Sequence, residues 1–192
     1  MASDKKALAE GKNATLKQFP PSAPLVDQSV FTTLYYCCLY HYELPVNSFA
    51  SPLSMKNYHQ LSDKQFVWIA AKALSQQQRW TELQSLLTNK SLFGLGSSKL
   101  KSPIPYDRLV TMMHSYHAPP EVLALYIKQM SDVDERLASA LKCNCQKLAV
   151  DCYTTKRDRQ SLIRYKAKLT AHTKEAYYAE AALQNQSVKW IN

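Results

Sequence analysis

Two groups of residues in this chain have side chains that bind metals in other proteins. Cys143, Cys145 and Cys152 fall close together, and His114 and His117 are three positions apart. Structural zinc sites favour a Cys-x2-Cys spacing, whereas Cys143 and Cys145 are separated by one residue. The histidines have no acidic neighbour in the sequence to complete a site. We therefore predict no metal, and we interpret the cysteines as core or surface thiols of a reducing compartment.

Sequence motifs of catalysis do not occur in the chain. It contains no Gly-x-Ser-x-Gly, no His-Glu-x-x-His and no Walker-type phosphate-binding run. The one cluster of acidic residues is Asp132, Asp134 and Glu135, and it lies at a predicted helix start, where the helix dipole accounts for it. The sequence therefore predicts a protein that is not an enzyme and that needs no cofactor.

The strongest functional feature is a basic segment. Lys and Arg number 24 against 15 Asp and Glu, which gives a net charge of +9. Much of this excess lies between residues 156 and 174, where tyrosines are interleaved with the cations. Such a segment suits an acidic protein surface, nucleic acid or an anionic membrane, and it is also typical of a solvated helical face. A solvated face or protein docking is favoured over nucleic acid, but charge alone does not choose among them.

The elements that must position these residues are short amphipathic helices. Ser62 and Gln65 stand at capping-box spacing, which predicts a helix start. Apolar residues then follow at helical spacing on one face: Phe66, Ile69, Ala70, Ala73 and Leu74. A second, shorter stripe begins at Trp80, and the polar run 75–79 between the stripes predicts a turn or an exposed face. The two helices should form an αα-hairpin, in which we assign Phe66, Trp68 and Trp80 mainly to packing.

Helix signals continue on both sides of this hairpin. The predicted helix starts are Asp27, Ser51–Pro52, Pro105, Pro120, either Ser131 or Asp132, Thr155 and Thr173. About ten short helices result, with no strand signal, and units of this size suit an irregular α-solenoid. We predict an all-α protein with a flexible N-terminal arm or linker over residues 1–26 and an α-solenoid domain over residues 27–192. Trp190 is expected to pin the tail back.

Several fragments of the sequence resemble a known family. Three of them are similar to the C-terminal domain of vacuolar protein sorting-associated protein sixteen: Phe66-Val-Trp-Ile-Ala-Ala-Lys-Ala-Leu74, Arg79-Trp-Thr-Glu-Leu83 and Lys101-Ser-Pro-Ile-Pro-Tyr106. Three more resemble the B-type branch of that family, the spermatogenesis-defective protein thirty-nine homologues: residues 117–122, 156–160 and 188–192. The resemblance extends from about Val26 to the end of the chain.

This resemblance implies an α-solenoid adaptor without catalysis. It implies binding of an SM-family membrane-fusion regulator, a vacuolar sorting protein of the thirty-three type and B isoform, in endosomal and lysosomal trafficking. The protein would be cytoplasmic and peripherally associated with late endosomes or lysosomes through that complex. Our candidate contacts are Gln77 and Arg79 at the end of the first hairpin helix, and the basic turn of Lys156, Arg157 and Arg159. The alternatives are a nucleic-acid-binding helical domain and a domain that binds anionic membranes directly.

Overall fold

The structure, a computed structural model, describes residues 19, 27–88 and 100–191. These residues form ten α-helices and no β-strand, so the predicted all-α class with about ten short helices is confirmed. The chain divides into two compact units, Met1–Ile104 and Pro105–Asn192. The predicted boundary of the N-terminal arm at residue 26 stays a prediction.

The described part of the first unit contains four helices: α1 (Val30–His41), α2 (Pro52–Tyr58), α3 (Asp63–Gln76) and α4 (Trp80–Leu86). α1 packs against α2 and α3, and α3 packs against α4, as expected for the αα-hairpin. An isolated antiparallel bridge joins Thr88 to Leu100. Most of the predicted loop 91–102 lies outside the described residues.

Local capping explains where the helices of this unit begin. The capping box of α3 is present, since Ser62 Oγ accepts from the Gln65 amide at 3.3 Å and Gln65 Oε1 accepts from the Ser62 amide at 2.9 Å. The predicted cap at Asp27 is wrong. An N-cap needs an extended backbone, whereas Asp27 has a φ of 60°. Ser29 caps α1 instead, with Oγ 3.2 Å from the amide of Thr32.

The hairpin residues assigned to packing differ in their burial. Phe66 is 5% exposed and belongs to the core, whereas Trp68 is 38% exposed and does not. Trp80 is half-buried at the start of α4. Trp68 departs from the prediction because α1 and α4 cover other faces of α3, where Ala70 and Leu74 are fully buried.

The polar run 75–79 contains both buried and exposed residues. Ser75 continues α3 and is fully buried, so the expected turn or exposed face does not include it. The reversal begins at Gln77, the C-cap of α3, and Gln78 has a left-handed φ of 57°. The hairpin turn is therefore shorter than the polar run that predicts it.

Phe19 packs on α1, although it lies within the predicted flexible arm. Its side chain is buried in a cluster with Cys37 and Ala50. Its ring meets those of Tyr40 and His41 edge-on, with centroids 5.7 Å and 4.4 Å away. At this one described position, the N-terminal segment contributes to the core of the first unit.

The second unit contains six described helices: α5 (Tyr106–Ser115), α6 (Pro120–Ile127), α7 (Val133–Lys142), α8 (Gln146–Lys156), α9 (Arg159–Lys166) and α10 (Lys174–Gln184). Most packing is between helices that are neighbours in sequence, and α8 also packs against α10. Val150, Leu162 and Ala179 join α8, α9 and α10 in one buried cluster. Trp190 packs against this cluster, as predicted.

Several helices end in a left-handed residue that is not glycine. Five of these residues are Gln60, Gln78, His117, Asn144 and Arg157, with φ between 51° and 59°. The amide of the following residue donates to the carbonyl five positions earlier, at 2.8–3.1 Å. This is the Schellman arrangement, which satisfies carbonyls at the helix end and reverses the chain in a few residues. It explains how a chain with 3 Gly makes short connections.

These helix ends correct one further predicted start. Thr155 does not cap a helix, because α8 continues through it to Lys156. Asp158 caps α9 instead, and its Oδ1 accepts from the Ser161 amide at 2.9 Å. Of the two predicted alternatives Ser131 and Asp132, it is Asp132 that caps α7, and the predicted cap at Thr173 is confirmed. Both side chains accept hydrogen bonds from backbone amides in the first turn of the following helix.

Candidate protein-binding surface

The basic turn between α8 and α9 begins with a cation that is already paired. Lys156, the last residue of α8, forms an ion pair with Asp134 in the first turn of α7. The hydrogen bond that Lys156 donates to this carboxylate raises the pKa of Lys156. The pair ties the end of α8 to the start of α7, so Lys156 has a structural role within the second unit.

Arg157 and Arg159 follow on a well-defined backbone. Arg157 is the left-handed residue of the turn, and its carbonyl oxygen accepts from the Ile191 amide at 3.1 Å. Arg159 is the first residue of α9, directly after its N-cap Asp158. Both arginines are exposed. The turn therefore presents two guanidinium groups to solvent from a backbone that the helix cap and the C-terminal tail hold in place.

The hairpin turn between α3 and α4 is bound to the end of α1. Gln77 Nε2 donates to the Leu39 carbonyl at 2.6 Å. Arg79 donates to Glu82 Oε1 through Nε at 3.1 Å and Nη2 at 3.0 Å, and it also pairs with Glu43. Its guanidinium carbon lies 5.6 Å from the ring centroid of Tyr42. These side chains join two parts of the first unit.

Electrostatics at this turn favour the ionised pair. Burial alone would lower the pKa of Arg79, but hydrogen bonds to Glu82 and Glu43 outweigh it, and the pKa is raised. A hydrogen bond from its own backbone amide, followed by the bond from Arg79, lowers the pKa of Glu82. Burial raises the pKa of Tyr42 to about 12. Arg79 is 24% exposed in its side chain, so a partner that bound it would compete with these internal bonds.

The five predicted contact residues thus lie at two turns in different units. Lys156, Arg157 and Arg159 are close together by sequence, as are Gln77 and Arg79. The sequence pattern does not predict their internal ion-pair partners, Glu43 and Asp134. They are 36 and 22 positions from the cations that they pair with, and no local pattern indicates such contacts.

The residues with metal-ligand chemistry are not assembled into a site. No group of three His, Cys, Asp or Glu residues suited to a metal occurs among the residues that the structure describes. Cys143 and Cys145 are buried, and the Cys145 thiol donates to the Pro120 carbonyl at 3.2 Å. Burial raises the pKa of Cys145 to about 11. His117 has a left-handed backbone beyond the end of α5, so His114 and His117 do not share a helix.

Three of the four interleaved tyrosines, Tyr153, Tyr165 and Tyr178, are engaged in contacts within the second unit. Tyr153 and Tyr165 contact each other, with ring centroids 5.5 Å apart, and both pack against the buried cluster. Tyr178 donates to Asp151 Oδ1 at 2.6 Å, and the Lys147 ammonium lies 4.9 Å from its ring centroid. The fourth, Tyr177, is 62% exposed. Stacking of successive bases needs several exposed ring faces, so this arrangement does not favour nucleic acid.

None of the helices in the described ranges has the length and apolar character that a bilayer crossing requires.

Comparison with known families decides the classification. Residues 52–187 match the family described as "Vps16, C-terminal region". The chain belongs to the Vps16 C-terminal family. Membership associates it with vacuolar protein sorting and trafficking, and it confirms the family resemblance predicted from the sequence.

Curated relatives of this family member are similar to it along its length. It is 34% identical to the spermatogenesis-defective protein 39 homolog of Danio rerio over 191 residues, which is 100% of the chain and 38% of the relative. The Mus musculus homolog is 30% identical with the same coverage. Spermatogenesis-defective protein 39 of Caenorhabditis elegans is 30% identical over 95% of the chain and 38% of its own length. The chain spans about two fifths of these relatives. No solved structure matches it.

Proposed function

We propose that this protein is a non-catalytic adaptor in endosome–lysosome vesicle trafficking and membrane fusion. In this proposal its helical surface binds an SM-family vacuolar sorting protein of the thirty-three type, B isoform. The complex then associates peripherally with late endosomes or lysosomes from the cytoplasmic side. The observation that carries the proposal is the match to the Vps16 C-terminal region over residues 52–187.

The basic turn is the proposed contact for the partner. Arg157 and Arg159 are exposed on a backbone held by a helix cap and by the C-terminal tail. A surface held in this way loses little conformational freedom when a partner binds, which favours affinity. Lys156 supports the turn through its pair with Asp134. Guanidinium groups suit carboxylates on the partner, because they donate two parallel hydrogen bonds.

The hairpin turn is a second proposed contact, with a different character. Gln77 and Arg79 bind Leu39, Glu43 and Glu82 within the first unit. A partner at this turn would add contacts to an existing network of hydrogen bonds and ion pairs. We therefore expect the two turns to respond differently when a charge is reversed.

Reconstitution from purified proteins tests the function. The full chain is mixed with a purified SM-family protein of the thirty-three type, B isoform, and complex formation is followed by size-exclusion chromatography. A co-eluting complex is expected. Separate elution at concentrations well above the micromolar range would contradict the proposed partner, because specific interfaces of ordinary size bind at about micromolar affinity or tighter.

Two parallel assays separate this function from its alternatives. Flotation with phosphatidylserine-containing vesicles should carry the chain upward only if it binds anionic lipid without the partner. A gel shift with single-stranded RNA at physiological salt should show no retardation. Strong binding in either assay, together with separate elution from the SM-family protein, would favour direct membrane or nucleic-acid binding.

A further inference from the structure

On its outward side, α9 places an apolar residue among cations. Ile163 is 44% exposed, while its neighbour Leu162 is fully buried. This difference defines the face of α9 that points to solvent. We call it the α9 outer face, and its exposed residues are Arg159, Gln160, Ile163 and Arg164 of the helix, with Ala167 and Lys168 directly after its end. Arg159, Gln160 and Ala167 lie three or four positions from Ile163, and Gln160, Ala167 and Lys168 lie three or four positions from Arg164, so these side chains are neighbours in pairs.

The surroundings of this face are strongly positive. Residues 156–174 contain seven Lys and Arg against one acidic residue, Asp158, which caps α9. Lys166 at the edge of the face is paired with Glu180 of α10. Arg164 donates to the neutral amide oxygen of Gln160 at 3.3 Å, a bond that does not neutralise its charge. An acidic ligand would complement this potential.

We propose that the α9 outer face docks an acidic amphipathic segment of a partner protein. An apolar side chain of that segment lies on Ile163, and its carboxylates meet Arg164 and Lys168. This inference deepens the proposed function and rests on it, because it names the kind of segment that the partner contributes. It also moves the main contact from the basic turn onto the helix that follows.

The exposed isoleucine decides among the classes of acidic ligand. Phosphate contacts of a nucleic acid use cations and gain nothing from an aliphatic side chain at their centre. Helices that lie in a membrane surface bury a broad apolar face, whereas Ile163 is flanked by charged and polar neighbours. An amphipathic peptide supplies both an apolar contact and flanking carboxylates, and it covers apolar surface that now faces water.

A peptide titration of the full chain tests this face. The probe is a synthetic amphipathic peptide of about 20 residues, long enough to form a helix, with Leu on one side and Glu on the other. Amide chemical shifts of the labelled chain should change at residues 159–168. A scrambled peptide of the same composition should bind about tenfold more weakly, because its leucines no longer align on Ile163.

Matched variants identify the contacts. Ile163→Ser and Arg164→Glu should each weaken binding of the amphipathic peptide by about tenfold. Lys128→Glu changes another exposed cation of the same unit and should leave the affinity unaltered. Circular dichroism checks that all three variants stay helical. Equal binding of the scrambled peptide, full affinity of Ile163→Ser, or stronger shifts of the same amides by RNA or anionic vesicles would overturn the proposal.

The same variants distinguish this inference from the proposed function. If the unaltered chain and Ile163→Ser both form the complex with the SM-family protein equally well, the α9 proposal fails and the adaptor function stands. If the unaltered chain forms no complex, the adaptor function fails, and the peptide titration still decides whether α9 binds acidic segments. Loss of the complex by Ile163→Ser and Arg164→Glu, but not by Lys128→Glu, supports both the adaptor function and the α9 proposal.

Discussion

The backbone amide of Ile191 donates a hydrogen bond to the carbonyl oxygen of Arg157, at an N–O distance of 3.1 Å. This bond joins the C-terminal tail to the turn between α8 and α9. Trp190 packs beside it on the cluster of Val150, Leu162 and Ala179. The tail therefore contributes to holding the basic turn in its observed position.

Removing the Trp190 side chain should destabilise the second unit. Trp190→Ala is expected to cost about 1–3 kcal/mol in the free energy of unfolding, less than for a fully buried tryptophan because this one is half-buried. Ile191→Ala is the control, since Ile191 is 76% exposed. It should cost less than about 0.5 kcal/mol. Equal urea denaturation midpoints for Trp190→Ala and the parent chain would contradict this role.

Arg157→Gly removes the charge of Arg157 while the turn keeps its backbone conformation, so it tests the charge alone. Glycine adopts the left-handed conformation of Arg157 without a steric penalty, so stability should rise by up to about 1 kcal/mol. Binding of the SM-family protein should nevertheless weaken by about 1 kcal/mol, near fivefold, because one exposed ion pair is lost. Arg157→Glu should bind more weakly still while keeping its helical circular dichroism. Unchanged affinity in both variants would remove Arg157 from the interface.

Removing a core aromatic ring from the hairpin should cost more stability than removing a surface ring. Phe66→Ala is expected to cost about 3–5 kcal/mol, because the ring is 5% exposed and leaves a cavity. Trp68→Ala should cost no more than about half as much, since that ring is 38% exposed. Thermal melts of the two variants under identical conditions provide the comparison. A larger loss for Trp68→Ala would show that an uncovered face of α3 is packed in solution.

Alkaline pH should weaken the contact between Tyr178 and Asp151. The hydrogen bond to this carboxylate, followed by burial, raises the pKa of Tyr178 from 10.0 to about 12. Folding therefore favours the protonated phenol. Its stabilisation is complete below pH 10 and is lost as the pH rises towards 12. Tyr178→Phe should show a smaller alkaline loss in a denaturation series. Identical alkaline profiles would count against the hydrogen bond.

Acid should destabilise the first unit through His41. This residue is 3% exposed, and its Nε2 is without a hydrogen-bond partner among the described residues. Burial lowers its pKa below 6.5, so the folded state favours neutral imidazole. The stabilisation is present above pH 6.5 and is lost as the pH falls through the lowered pKa. His41→Phe, which cannot take up a proton, should flatten the acid side of a melting-temperature profile. A parallel decline in both proteins would exclude His41 as the cause.

Much of the fold follows from patterns that act over a few residues. The capping box of Ser62 and Gln65, the cap at Asp132 and the cap at Thr173 all lie where the sequence predicts them. These signals succeed because a cap binds amides in the next turn, whatever the rest of the chain does. Thr155 failed as a cap since a hydroxyl within a helix can bond to a preceding carbonyl instead, and Thr155 Oγ1 donates to Asp151 at 2.8 Å.

The candidate surface was less accessible to the same reasoning. The sequence locates the basic segment and predicts its solvent exposure, because charge and composition are local properties. It does not show that Lys156 pairs with Asp134 or that Arg79 pairs with Glu43, since these partners are 22 and 36 positions away. Nor does it distinguish Arg79, bound within the hairpin, from Arg157, whose exposed side chain extends from a turn.

By itself, the sequence determined the class of fold, the succession of short helices and the family. Caps, apolar spacing and family motifs depend on residues that are close together in the sequence. Only the tertiary structure decided that Trp68 is exposed, that Ser75 is buried and that Ile163 stands among cations on an open face. Burial depends on which helix covers which side of its neighbour. That choice is made by packing between elements distant in the chain, where local spacing carries no information.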